Sequence, residues 1–218
     1  MNWSAIDALI QNKSMLQHPF YQAWSQGKLT IDDLKYYAGQ YYALESHFPR
    51  LLSRIHASCD NPVVRQNILE NLIEEERGPQ NHRELWLSFG EGLGLTREEI
   101  IHAPRNAHTQ ACVNDLMELA ASDNPATGLA ALYAYESQLP EISKSKIDGL
   151  RRFYGIENKQ ALRFFEVHKE VDIWHAQQEK ESIEQLGATF DEVQPAVEKA
   201  CSALLSFLDG VGPTTCMN

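Results

Sequence analysis

Long apolar runs are missing from this 218-residue chain. No stretch approaches the roughly 20 consecutive apolar residues that a membrane-spanning helix needs, so no membrane partner is expected. Basic residues are scarce: 19 Lys and Arg face 30 Asp and Glu, a formal net charge of −11. A nucleic-acid binder needs basic surface to displace counterions, so nucleic acid is not an expected partner either. Cysteine is limited to Cys59, Cys112, Cys201 and Cys216, too far apart for a CxxC or zinc-ribbon pattern. A chain of this size needs no disulfide staples, and reduced thiols in a cytoplasm fit best. The opening Met1-Asn-Trp-Ser-Ala-Ile-Asp7 puts no basic stretch before an apolar run, so no signal peptide is expected. Period-two alternation bounded by hairpin turns is lacking, as are internal repeats and long linkers.

Helical patterning remains, nearly throughout. Short helices are predicted over 4–13 and 15–27. Thr30, with Asp32 and Asp33 behind it, opens a long helix over 31–58 that Pro49 should kink. Asn61-Pro62 opens the next, which stops at Gly78-Pro79. Further helices are expected over 81–92, from Thr96, and over 106–121. A second long one runs from 123 to 154 with a kink at Pro140, and two more cover 158–186 and 190–208. The fold class is all-α: one helical bundle domain over 1–210 with a loose tail over 211–218.

Within 158–186 lies His168-Lys-Glu-Val-Asp172-Ile-Trp-His175. Positions i, i+4 and i+7 fall within about 60° of one another on a helix, so two imidazoles and a carboxylate share one stripe. A metal-ligand stripe and a polar face with two chance histidines both fit, since His18, His47, His56, His102 and His108 belong to no ligand pattern. Glu74-Glu75-Glu76 ends another helix, and His82 begins the one after the turn. Three acids at a helix C-terminus oppose the macrodipole, and either Arg77 or a metal could offset them. Glu136 follows the apolar run Ala130-Ala-Leu-Tyr-Ala-Tyr135. It either faces outward with Gln138 or is buried and paired with a cation. Glu75, His82, Glu136, His168, Asp172 and His175 together make three carboxylates and three imidazoles, which two divalent ions would bring near neutrality. Mixed N/O ligands suit iron or manganese better than a closed structural zinc cage. The paired Glu-x-x-His motifs of ferritin-like bundles are absent. All eight tyrosines lie at 21, 36, 37, 41, 42, 133, 135 and 154; each is core filler or, near a metal pair, an oxidisable ring. Lys146 sits in the otherwise basic run Lys144-Ser-Lys146-Ile-Asp-Gly-Leu-Arg151-Arg152.

With these residues in hand, the chain resembles the CADD proteins, first named as chlamydial proteins associating with death domains. The matching stretches are Phe20-Tyr21-x-x-Trp24-Ser25, Leu51-Leu52-Ser53-x-Ile55-His56, Pro79-x-Asn81-His82-x-x-Leu85-Trp86, Ala131-Leu132-Tyr133-x-Tyr135-Glu136-Ser137-Gln138 and the His168/Asp172/His175 triplet. They span nearly the whole chain. More distantly, that family resembles the PQQ-synthesis protein C and TenA families. The resemblance implies a single-domain, seven-helix heme-oxygenase-like bundle, a homodimer, and a non-heme dimetal site of two metal ions, Fe/Fe or Fe/Mn. It places the six candidates above on the ligand positions. It also implies an O2-dependent oxidase that makes p-aminobenzoate for folate, with O2 and a reductant from an unknown electron donor as co-substrates. Tyr21 matches the tyrosine that the family sacrifices, Tyr37 an assisting tyrosine, and Lys146 the amino donor. Where the family has a tyrosine four residues before the first histidine of the triplet, this chain has Phe164. The family's cysteine-rich tail is reduced to Cys216. Nothing in the sequence supports death-domain binding.

Two other functions fit the same sequence. One is a conventional oxidase of a small metabolite, akin to the PQQ and thiamin enzymes. The other is a non-catalytic heme- or protein-binding module, with His18 as the candidate axial ligand.

Overall fold

The computed structural model of the chain describes residues 1–212; Cys216 and the predicted tail beyond its first two residues lie outside the described residues. Twelve α-helices and a short 3-10 turn are present among the described residues, with no strand. They are α1 (Trp3–Asn12), α2 (Pro19–Ser25), α3 (Ile31–Glu45), α4 (Phe48–Ser58), α5 (Pro62–Glu76) and α6 (His82–Gly92). After them come α7 (Arg97–Ile101), α8 (Ala107–Ala120), α9 (Pro125–Glu136), α10 (Leu139–Tyr154), α11 (Lys159–Gln185) and α12 (Phe190–Asp209). The all-α class is as the sequence implied.

Local chemistry sets most of the helix starts. Thr30, Thr96 and Thr189 each form a capping box with the acid three residues on. Asn61, Asn81, Asn106, Asn124 and Asn158 cap α5, α6, α8, α9 and α11 by accepting backbone N–H groups. Both predicted kinks are instead full breaks. α3 stops at Glu45 and α4 restarts at Phe48; α9 stops at Glu136 and α10 restarts at Leu139. Pro49 and Pro140 stand at the second position of the restarted helices. Each lacks the N–H that the carbonyl four residues back would need, and its ring would clash with that carbonyl, at a cost of about 3 kcal/mol in a helix interior. That carbonyl belongs to Glu45 in one case and Glu136 in the other. The two glutamates therefore become helix ends.

α9 is buried on all sides from Gly128 to Glu136, and α11 and α12 pack along it. α11 also packs on α10, α6 and α5, so the histidine stripe faces the middle of the bundle. Beside it lies an aromatic layer of Phe20, Trp24, Tyr37, Trp86, Phe89 and Phe165, none more than 1% exposed. Gly149 makes this layer possible: a Cβ there would lie 2.6 Å from the Trp24 ring. The indole Nε1 of Trp24 donates to the Lys146 carbonyl at 3.3 Å, which ties α10 to the layer just where Lys146 points inward.

Candidate metal centre

The six residues singled out in the sequence converge from four helices. They form two groups, Glu75 with His82 and His168, and Glu136 with Asp172 and His175; within each, one ligand atom per residue lies within 4.8 Å of the others. All six are buried. α11 supplies His168, Asp172 and His175, as the stripe predicted. Asn81 caps α6 so that His82 comes at its first residue, and α5 ends one residue after Glu75. Glu136 is the last residue of α9.

Several polar atoms here lack a hydrogen bond, although His175 Nε2 comes within 3.2 Å of the exposed Glu74 carboxylate. Both Asp172 oxygens, Glu136 Oε2 and both His175 nitrogens are buried without a hydrogen bond. His175 Nδ1 stands 3.5 Å from Glu136 Oε1 and 3.6 Å from Asp172 Oδ1, spacings suited to a shared cation and too long for direct bonds. Orphaned buried acceptors cost about 1–3 kcal/mol each, and the three carboxylate oxygens among these atoms suit a group of positive charge. In the other group, His82 Nδ1 donates to Glu75 Oε1 at 2.7 Å. His168 Nδ1 donates to the Phe164 carbonyl at 2.7 Å, which fixes the tautomer and leaves Nε2 as the ligand lone pair, the usual outer-shell arrangement of a metal histidine.

Electrostatics agrees. Burial opposes charge on His82, but the carboxylate of Glu75 outweighs it and lifts the imidazole to about 9. Burial likewise opposes charge on His175, while Asp172 and Glu136 raise it to about 10. Burial raises Asp172 to about 7. His168, buried and beside His82, is held well below its ordinary value and stays neutral. The carboxylates demand positive charge, and a neutral imidazole is ready to coordinate it. The residues present thus fit a pair of metal ions with N/O ligation.

Three helices end at this place, and each carries a buried glutamate: Glu45 at the end of α3, Glu75 in the last turn of α5, Glu136 at the end of α9. None has a basic residue in its last turn, so three negative dipole ends and their carboxylates reinforce one another. Sequence reasoning missed Glu45. It also missed Glu179, one turn beyond His175, whose two oxygens are buried without a hydrogen bond. Burial and the neighbouring Glu136 charge hold Glu179 well above the carboxylate range. Asn71, also missed, donates to Glu136 Oε1 at 3.3 Å.

A second cluster adjoins the first. Lys146, 2% exposed, donates from Nζ to the Tyr37 hydroxyl at 2.6 Å. Its ammonium position lies 5.5 Å from the Tyr21 ring centre, 4.8 Å from Tyr37 and 5.1 Å from Tyr41. Burial lowers Lys146 to about 7, against a smaller pull upward from Glu45. Burial also pushes the Tyr21 and Tyr37 phenols well above their ordinary value, so both stay protonated. An internal cavity of about 10 Å³, room for about one water, joins the clusters; Tyr41, Glu45, Glu75, Tyr135, Glu136 and His168 line it. The Tyr41 and Tyr135 hydroxyls are hydrogen-bonded to each other at its wall. Phe164 stacks on His168 with ring centres 4.0 Å apart and meets Tyr41 edge-on at 6.2 Å.

His18 lies away from both clusters. Its Nδ1 accepts the Phe20 N–H as the cap of α2, and its Nε2 pairs with Asp209 at 3.0 Å. Neither ring nitrogen is left for an axial bond to heme.

The family described as iron-containing redox enzyme matches residues 35–207. The chain is 43% identical over 214 residues to the 4-aminobenzoate synthase of Chlamydia muridarum, covering 97% of this chain and 90% of that one. It is 39% identical over 225 residues to the 4-aminobenzoate synthase of Nitrosomonas europaea, covering 98% and 92%. A TenA homolog from Pseudomonas syringae shares the fold, with a TM-score of 0.79 at 19% identity over 94% of this chain and 91% of that one.

Proposed function

Because the chain belongs to the iron-containing redox enzyme family and is an oxidoreductase alongside the 4-aminobenzoate synthases, we propose that it makes 4-aminobenzoate from its own Tyr21, with Lys146 as the amino donor. Glu75, His82 and His168 would hold one metal ion, and Glu136, Asp172 and His175 the other. When bound, an Fe/Fe or Fe/Mn pair supplies O2-dependent oxidation in one-electron steps, fed by an external reductant.

The observation that carries this reading is the setting of Lys146. Forming a carbon–nitrogen bond requires a free amine lone pair. An ordinary lysine at pH 7 is almost wholly protonated, whereas burial brings Lys146 down to about 7, which favours the free amine. Rings on every side keep water from the amine, and the Tyr37 hydroxyl fixes its direction. The Tyr37 hydroxyl also sits against that of Tyr21, so one phenol orients both the donor amine and the ring to be consumed. Tyr21 is itself only 3% exposed, which limits side reactions of an oxidised ring.

Tyr21→Phe and Lys146→Arg are expected to abolish product while metal content stays at the wild-type level, and intact-protein mass should show wild-type chains altered after turnover. Full product yield from Tyr21→Phe would overturn self-sacrifice. Loss of metal in that variant would instead make Tyr21 structural.

A further inference from the structure

Glu45 is a buried acid outside both ligand groups that borders the metal centre on one side and a surface cavity on the other. It is 6% exposed, and its Oε1 has no hydrogen-bond partner. It shares a cavity with Glu75 and His168 of one ligand group and Glu136 of the other, yet it belongs to neither. Together with Glu75 it lines the internal cavity beside Glu136 and His168. The same two carboxylates line a second cavity, of about 270 Å³, on the outer side. Glu76, Asn81 and Arg83 line that outer cavity as well, and the side chains of Glu76 and Arg83 are solvent-exposed. Glu45 and Glu75 are therefore the shared wall between solvent and the ligand groups.

The α3–α4 break makes this wall. Glu45-Ser-His-Phe-Pro49 and Glu136-Ser-Gln-Leu-Pro140 have the same pattern, Glu-Ser-x-x-Pro, and in both the proline ends the helix at the glutamate. The twin of Glu45 is thus a candidate ligand. α3 and α5 point their negative ends at the opening with no basic residue in the last turn. A divalent cation arriving there meets dipole ends and carboxylates, Glu76 outside and Glu45 with Glu75 in the wall.

We propose that divalent metal ions reach the centre through this opening, with Glu45 as the transfer ligand that hands them from the outer cavity to the two ligand groups. The proposal rests on the two-metal reading above. It assigns Glu45 a role in loading and none in final coordination.

Anaerobic Mn2+ uptake by the full chain, after dialysis against a chelator, tests it. Loss of the free-ion EPR signal gives the rate, and elemental analysis gives the final count. Glu45→Gln should slow uptake about tenfold or more, the lower end of what charge focusing contributes to ion capture, and still reach the wild-type count. Glu76→Lys, a surface change that leaves the interior untouched, should slow uptake several-fold at low salt and recover at high salt. Uptake by both variants at the wild-type rate would overturn the route. A Glu45→Gln protein that ends one ion short would overturn the transfer role and make Glu45 a resident ligand. Failure of the wild type itself to take up two ions would instead defeat the two-metal reading.

Discussion

Lys146→Met should change how stability depends on pH, by an amount that follows from the buried amine. Lys146 falls from an ordinary 10.5 to about 7 in the folded chain, chiefly through burial. Below pH 7 the folded and unfolded chains both hold the proton, and the folded state bears the full cost of a buried charge. Between pH 7 and 10.5 the unfolded chain still binds the proton and the folded chain does not, so stability rises with pH. From pH 6 to pH 9 the populations shift by about two pKa units, and at 1.36 kcal/mol per unit that gives about 3 kcal/mol. Methionine has nearly the same length and no charge, so the variant should lack this rise and be more stable than wild type at pH 6. Urea unfolding of both proteins at pH 6, 7, 8 and 9 measures it. Parallel curves, with no gap closing between pH 6 and 9, would refute the depressed amine and with it the supply of free lone pair at neutral pH. The rate of product formation should follow the same midpoint, rising from pH 6 to 8 as the amine loses its proton.

Two other outcomes follow from the same geometry. Saturating Mn2+ should stabilise the chain by about 2.7 kcal/mol at one hundred times its dissociation constant, seen as a rise in thermal midpoint that Glu136→Ala and His175→Ala each reduce; an unchanged midpoint in wild type would mean that the orphaned acids are not a cation site. Gly149→Ala should cost about 1–3 kcal/mol of overpacking, because its Cβ would meet the Trp24 ring at 2.6 Å, and near-ultraviolet difference spectra of the indole should move with it; a stability loss under about 0.5 kcal/mol would show that Trp24 is not held tightly there.

The stripe of His168, Asp172 and His175 was legible because a long helix fixes relative direction from spacing alone. Glu75 and His82 were legible because a turn between two helices brings their ends together, and Glu136 because an acid after an apolar run needs a reason. The same rule applied to Glu45, which follows Tyr41-Tyr-Ala-Leu. Its preceding apolar run is shorter, so only the buried helix end at Glu45 marks it. Glu179 extended the histidine stripe by one more turn, but a glutamate near the end of a charged helix has no distinctive spacing. Lys146 was illegible from local sequence. Its neighbours Lys144, Arg151 and Arg152 are exposed, and only the packing of α10 against the aromatic layer turns that one lysine inward. Its expected role came from family resemblance.

The interior joins two requirements that conflict when taken separately. Glu45, Glu75, Glu136, Asp172 and Glu179 are five buried carboxylates; the first three line the small cavity and sit on negative helix ends. Such a cluster stabilises a positive charge nearby. Lys146 needs the reverse, a setting that favours the free amine. Glu45 raises its pKa, and burial, which lowers it, is the larger effect. A cation beside Glu45 would cancel part of that pull, so the charge that satisfies the carboxylates also releases the amine. The aromatic layer of Tyr37, Tyr41 and Trp86 keeps the two settings distinct over a short distance, surrounding the lysine with rings while the acids face the cavity. Local charge complementarity is broken at three helix ends in this one place, and such concentrated violations are where function is expected.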